Sequence, residues 1–271
     1  MQPADLATET VQQAADRIAG AIASGHPVGP LRDLLAADNI QLAYAIQHEL
    51  TQRRQAGGAR VVGRKIGLTS PAVQQQLGVD RPDFGVLFDD MDVSRFREVP
   101  SERLLQPKAE AEIAFVLKTD LTEHYCNVEQ VSAAIDYAVA AVEVVDSRIR
   151  DWDITIADTI ADNASSGLFV LGDKRLTLDE FTPAEVTMQT YVDGVLASQG
   201  SGYACLGDPL NAMSWLARTA VEYGNPLRAG QIVLSGALGP MVAASPGTQI
   251  RAVLGPLGEV HTTFSSQQVD A

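Results

Sequence analysis

Lys108-Ala-Glu-Ala-Glu-Ile-Ala-Phe-Val-Leu117 and Ala138-Val-Ala-Ala-Val-Glu-Val-Val145 are two strand-length apolar runs that carry acids. A bare carboxylate in a core costs several kcal/mol or changes its pKa. Side chains alternate along a strand, so Lys108, Glu110, Glu112, Ala114 and Val116 share one face. Ala109, Ala111, Ile113, Phe115 and Leu117 pack on the other. Glu110 and Glu112 then point the same way, ~7 Å apart at a rise of ~3.3 Å per residue. Such a pair can bracket a hard cation that prefers oxygen ligands, Mg²⁺ or Mn²⁺. Glu143 on a neighbouring strand would complete a three-carboxylate face. The competing readings are a solvated edge strand for Glu110 and Glu112, and an ion pair with Arg148 or Arg150 for Glu143.

Three carboxylates around one dication keep a net negative charge, so an anionic substrate needs a cation nearby. Lys65, in Gly63-Arg-Lys-Ile-Gly67 at the end of an expected strand, is the candidate, with glycines that permit close backbone approach. The plainer alternative is a surface lysine beside a turn.

Around these runs the chain divides into two portions. Val11, Ala15, Ile18 and Ile22 are spaced as on one helix face over 7–23. A second helix is expected over 40–56, capped by Asp38 or Asn39 and stopped by Gly57-Gly58. A strand follows at 60–66 and a short helix near 71–77. Beyond residue 80, β-type runs recur near 110–118, 140–146, 167–171, 185–192, 231–235, 248–254 and 259–264. Gly255-Pro-Leu-Gly258 makes a hairpin turn between the last two. Helices are expected at 127–138 and 209–223, the latter capped by Asp208, opened by Pro209 and ended by Gly224. The fold class is therefore α+β: an N-terminal helical portion over 1–79 and a strand-rich metal-binding core over 80–271.

Composition narrows the function. A net charge of −14 repels phosphate backbones, so nucleic acid is not an expected partner. No apolar run approaches the ~18 residues of a membrane helix. Met1-Gln-Pro-Ala-Asp-Leu-Ala-Thr-Glu-Thr10 has no basic region or apolar signal core, and two cysteines without metal spacing, Cys126 and Cys205, fit a reducing cytoplasm. The histidines are scattered, which leaves no zinc site or catalytic triad visible. Gly200-Ser-Gly202 with Gly207 lacks the spacing and βα context of a dinucleotide fingerprint. Asp162-Asn-Ala-Ser-Ser-Gly167 is a polar turn whose hydroxyls and amides could line a pocket, and Ser235-Gly-Ala-Leu-Gly-Pro240 could do the same with backbone N–H groups.

Several of these segments together resemble the 2-hydroxypenta-2,4-dienoate hydratase (2-keto-4-pentenoate hydratase) family of the fumarylacetoacetate-hydrolase-like superfamily. The likeness runs from about residue 40 through Gly63-Arg-Lys-Ile-Gly-Leu-Thr69, Gln74-Gln-Gln-Leu-Gly78, Pro82-Asp-Phe-Gly85, Glu110-Ala-Glu112, Glu143-Val-Val-Asp-Ser-Arg-Ile-Arg-Asp-Trp152, Ala161-Asp-Asn-Ala-Ser165 and Ser235-Gly-Ala-Leu-Gly-Pro-Met241. It implies Mg²⁺ or Mn²⁺ on Glu110, Glu112 and Glu143, and active-site roles for Lys65, Asp83 and Ser165. Ser235, Gly236 and Leu87 are candidate substrate contacts. It further implies a small anionic 2-hydroxydienoate or 2-oxo acid substrate, a homo-oligomer often built from pentamers, and a pathway aldolase as a possible partner. Asp208 departs from the His of a Leu-Gly-His-Pro-Leu string in that family. The sister activity is 4-oxalocrotonate decarboxylation. Ile149-Arg-Asp-Trp152 and Ala237-Leu-Gly-Pro240 are similar to the hydratase pattern instead. Acylpyruvate hydrolysis needs a His–Glu pair that is not visible, and a non-catalytic partner subunit would not need the acids.

Overall fold

A computed structural model of the protein describes residues 3–70, 74 and 81–266. Pro3–Ser24 (α1) and Ile40–Ala56 (α2) form the two expected N-terminal helices. Asn39 caps α2, its Oδ1 accepting the Leu42 N–H at 3.1 Å. The apolar face of α1 buries Ala14, Ala15, Ile18 and Ala21, whereas Ile22 stays exposed. The short helix expected near 71–77 lies outside the described residues except for Gln74.

The strands are Val61–Gly67 (β1), Asp83–Phe88 (β2), Pro107–Leu117 (β3), Ile135–Asp146 (β4), Ser166–Leu171 (β5), Thr187–Val192 (β6), Val195–Ser201 (β7), Ile232–Leu234 (β8), Val242–Ala243 (β9), Gln249–Leu254 (β10) and Glu259–Thr263 (β11). Among the described residues they make two sheets. One runs β2-β1-β8-β3-β4-β5 with β9 beside β3; the other runs β11-β10-β6-β7. β1 pairs in parallel with β8 and antiparallel with β2, so a strand from before residue 80 lies inside the main sheet. β2 and β8 flank its two edges, and β4 reads as an almost unbroken buried run.

Val128–Ala134 (α3), Ile156–Ala161 (α4) and Pro209–Glu222 (α5) are further α-helices. Asp208 caps α5 as expected, with its Oδ1 accepting the Leu210 N–H at 2.8 Å. The helix expected over 127–138 stops four residues early. Ile135 and Tyr137 pair with Leu117 and Val116 of β3, and the sheet claims them. Three strands were not foreseen, β2, β7 and the two-residue β9. β2 is buried throughout and shows no alternation. β7 follows a two-residue turn at Asp193 (φ 50) and Gly194 (φ 82), the left-handed pair that suits a tight hairpin. No described helix is long and apolar enough to cross a membrane.

Gly63 sits at the parallel junction of β1 with β8. A Cβ there would lie 1.9 Å from the Ile232 carbonyl oxygen on β8. Because that neighbour is backbone, Gly63→Ala must separate β1 from β8. A loss of roughly 1–3 kcal/mol or more in denaturant unfolding is expected; an unchanged unfolding midpoint would refute this close packing.

Candidate active site

β3 and β4 run antiparallel with Glu110 opposite Glu143 and Glu112 opposite Ala141. That register puts all three acids on one sheet face, and one oxygen of each lies within 4.8 Å of the other two. Glu112 and Glu143 are buried and Glu110 is half-buried. β3 has β8 on one side and β4 on the other, which overturns the solvated-edge reading.

The counter-charge comes from β1. Lys65 is 3 % exposed, and its Nζ sits 3.1 Å from Glu143 Oε1. Neither arginine considered for Glu143 reaches it. Arg148 Nε donates to Asp162 Oδ1 at 2.5 Å, and Arg150 Nη2 reaches the Pro27 carbonyl at 3.4 Å. Burial opposes the charge on Lys65, but Glu143, Glu110, Asp83 and Glu112 outweigh it and hold the ammonium above the ordinary lysine range.

Asp83 opens β2 and pairs in register with Gly67. A Cβ on Gly67 would lie 2.1 Å from Asp83 Oδ1 and 3.6 Å from Lys65 Nζ, so the bare glycine leaves room for both side chains. Asp83 Oδ2 accepts from Thr159 Oγ1 at 3.4 Å, while Oδ1 faces no donor among the described residues. Burial raises the Asp83 carboxyl, with Lys65 pulling the other way.

Ser165 ends a turn in which Asn163, Ala164 and Ser165 take φ of 56, 52 and 51. Each non-glycine residue in that region costs about 1–2 kcal/mol. The Asn163 amide offsets this by clamping Val86, accepting its N–H at 2.7 Å and donating to its carbonyl at 2.9 Å. Gly85 lets β2 lie against the turn, since a Cβ there would meet the Asn163 carbonyl oxygen at 2.4 Å. Below it, the Arg148 guanidinium donates to Asp162 and to the carbonyls of Asp146 and Ser166. Burial pushes the Asp162 carboxyl up to about 6, against the pull of Arg148. The turn aims the Ala164 carbonyl at Lys65 Nζ, 3.1 Å away, and leaves Ser165 Oγ 3.5 Å from both Thr159 Oγ1 and Asp162 Oδ2.

Sequence reasoning missed Thr159, Asn163 and the Arg148–Asp162 pair. The Asp162-Asn163 turn signal was present; the long-range partners had none.

Of the candidate substrate contacts, Gly236 donates its N–H to Glu112 Oε2 at 2.8 Å. Ser235 Oγ is engaged with the Ile113 N–H at 3.2 Å and the Gly236 carbonyl at 3.1 Å. Leu87 lies fully in the core. Cys126 and Cys205 are free and buried. Burial pushes the Cys205 thiol up to about 12, which leaves it a poor nucleophile.

The donor set suits a hard dication. All the oxygens come from carboxylates, and Glu112 Oε1 and Glu143 Oε2 face no hydrogen-bond donor among the described residues. One oxygen of each glutamate lies within 4.8 Å of the others, a spacing that one hard cation can bridge. Without a cation, burial raises all three acids, Glu112 strongly and Glu143 to about 7. A proton and a dication then compete for the same oxygens. Apparent Mg²⁺ affinity should fall as pH drops through about 7, with proton release on binding. Calorimetry in two buffers of different ionisation enthalpy reads that release; equal heats in both would exclude it.

Residues 75–265 match the model of the fumarylacetoacetate (FAA) hydrolase C-terminal domain. The 2-keto-4-pentenoate hydratase of Paraburkholderia xenovorans (strain LB400) is 51% identical over 259 residues, 96% of each chain. The 2-hydroxyhexa-2,4-dienoate hydratase of Comamonas testosteroni is 39% identical over 257 residues, covering 94% of this chain and 97% of that one. Among solved structures, 4-oxalocrotonate decarboxylase from Pseudomonas putida G7, complexed with magnesium and adipate, superposes with a TM-score of 0.90 at 34% identity, over 95% of this chain and 98% of that one. The chain belongs to the fumarylacetoacetate hydrolase family and, within it, to the 2-keto-4-pentenoate hydratases.

Proposed function

We propose that the protein is a metal-dependent hydro-lyase that adds water to 2-hydroxypenta-2,4-dienoate, or to a close homologue such as 2-hydroxyhexa-2,4-dienoate. The five-carbon product is 4-hydroxy-2-oxopentanoate. The observation that carries this is the buried cluster of Glu110, Glu112, Glu143 and Lys65, with carboxylate oxygens that face no donor. Mg²⁺ or Mn²⁺ held by the three glutamates would supply Lewis acidity toward the C2 oxygen of a bound 2-oxo acid.

The protein's own groups handle the protons and the anion. Lys65, held as an ammonium, binds the substrate carboxylate or delivers a proton to carbon. A proton placed on the terminal diene carbon gives a 2-oxo-3-enoate, which is electrophilic at C4. Asp83, with Oδ1 free of donors, orients the incoming water or takes its proton. Ser165 Oγ hydrogen-bonds the substrate. A proton returned to C3 completes the addition, so one water is consumed and no other product forms.

A 4-hydroxy-2-oxo acid is an aldol, so the same reading extends to an aldolase as the next enzyme; the family resemblance, not the chemistry, suggests a pentamer-based homo-oligomer. Decarboxylation is the second reading, favoured by the likeness to 4-oxalocrotonate decarboxylase. Its 34% identity is below the 51% of the hydratase. Offering both substrates decides between them. Loss of the dienoate chromophore without CO₂ is the expected result, and CO₂ from 2-oxo-3-hexenedioate with no hydration would reverse the assignment.

A further inference from the structure

Arg64 precedes Lys65 on β1, so strand alternation sends its side chain to the opposite face of the sheet from the acid cluster. It lines a groove of about 470 Å³ with Gln41, Tyr44, Phe84, Tyr223 and Gln231, a size typical of small-molecule sites. Arg64 is 6 % exposed. Its Nη1 donates to the carbonyl of its own neighbour Gly63 at 2.9 Å, and its Nε has no partner. No carboxylate among the described residues pairs with it, and burial pulls the guanidinium down to about 10. Among the described lining residues, Arg228 is matched by Asp120 at 2.8 Å, and His48 is hydrogen-bonded to Gln52 at 3.0 Å.

A buried charge without a counter-ion is costly, and a bidentate anion on the guanidinium fork removes that cost. One unmatched positive charge suits a monoanion better than a dianionic phosphate, in a chain whose net charge is −14. The wall beside it is aromatic. Tyr44 stacks on Phe84 at 4.6 Å, and its ring centroid lies 4.2 Å from that of Tyr223.

We propose that this groove binds a planar monocarboxylate, with the carboxylate on Arg64 and the flat body against the half-buried ring of Tyr223, which Tyr44 backs. The site is separate from the acid cluster, and the ligand is not the hydratase substrate in its reacting pose.

Benzoate is the probe, titrated calorimetrically into the full-length Mg²⁺-loaded protein. The expected result is one benzoate per chain, weakened at least about thirtyfold by Arg64→Met. Arg64→Lys, which keeps the charge and loses the fork, should be intermediate, and Glu112→Gln should bind as the wild type does. Should Arg64→Met fail to fold, Tyr223→Ala on the groove's rim is expected to weaken benzoate in the same direction. The proposal is overturned by no benzoate binding to the wild type, by equal binding to Arg64→Met or, in its absence, to Tyr223→Ala, or by loss of binding in Glu112→Gln. Inorganic phosphate binding as tightly as benzoate would overturn the carboxylate assignment.

Discussion

Glu112→Gln removes metal-dependent turnover and leaves the fold intact. The amide fills the same space, and its oxygen can still accept the Gly236 N–H that Glu112 Oε2 takes at 2.8 Å. What disappears is one anionic oxygen of the cluster. Groups that merely orient metal ligands are worth about 10–100-fold, so losing a ligand should exceed about a hundredfold in kcat. Stability gives a second reading. Burial, then Glu143 and Glu110, raise Glu112 in the metal-free protein, a sign that its charge is unwelcome there. The metal-free variant should therefore melt at or above the metal-free wild type. At about 100 Kd of Mg²⁺, linkage adds ~2.7 kcal/mol to the wild type and far less to the variant. Equal stabilisation of both proteins, or full activity in metal-stripped buffer, would exclude the role.

Lys65→Met separates chemistry from metal binding. Lys65 Nζ occupies the neighbourhood of Glu143 Oε1 at 3.1 Å, where a dication would also draw on that oxygen. Removing the ammonium leaves the acids more negative, so Mg²⁺ affinity should be equal or tighter. Turnover at saturating Mg²⁺ should fall by roughly 10²–10⁴, the range for a proton-transferring group. Metal affinity and activity falling together would reduce Lys65 to a counter-ion of Glu143. Retained turnover would remove it from the reaction.

The acids were legible because an acid in an apolar strand is locally anomalous, and period-two alternation alone aligned Glu110 with Glu112. Their register with Glu143 was not legible, because strand pairing depends on sheet order. Caps and stops at Asn39, Gly57 and Asp208 read correctly because their partners lie within a few residues. β2 escaped because a fully buried Asp-Phe-Gly-Val-Leu-Phe has no polar beat. β7 escaped although Asp193-Gly194 announced its turn. The left-handed Asn163-Ala-Ser165 turn was hidden for a different reason. Its non-glycine residues hold positive φ only because Asn163 is tied to Val86, 77 positions away. Arg64 was passed over because a sequence cannot say that an arginine lacks a partner.

Crystals grown with Mn²⁺ and measured at its absorption edge test the metal site itself. The expected result is one anomalous peak per chain, bounded by carboxylate oxygens of Glu110, Glu112 and Glu143 and lost in Glu112→Gln. A peak elsewhere, or none at saturating Mn²⁺, would contradict it.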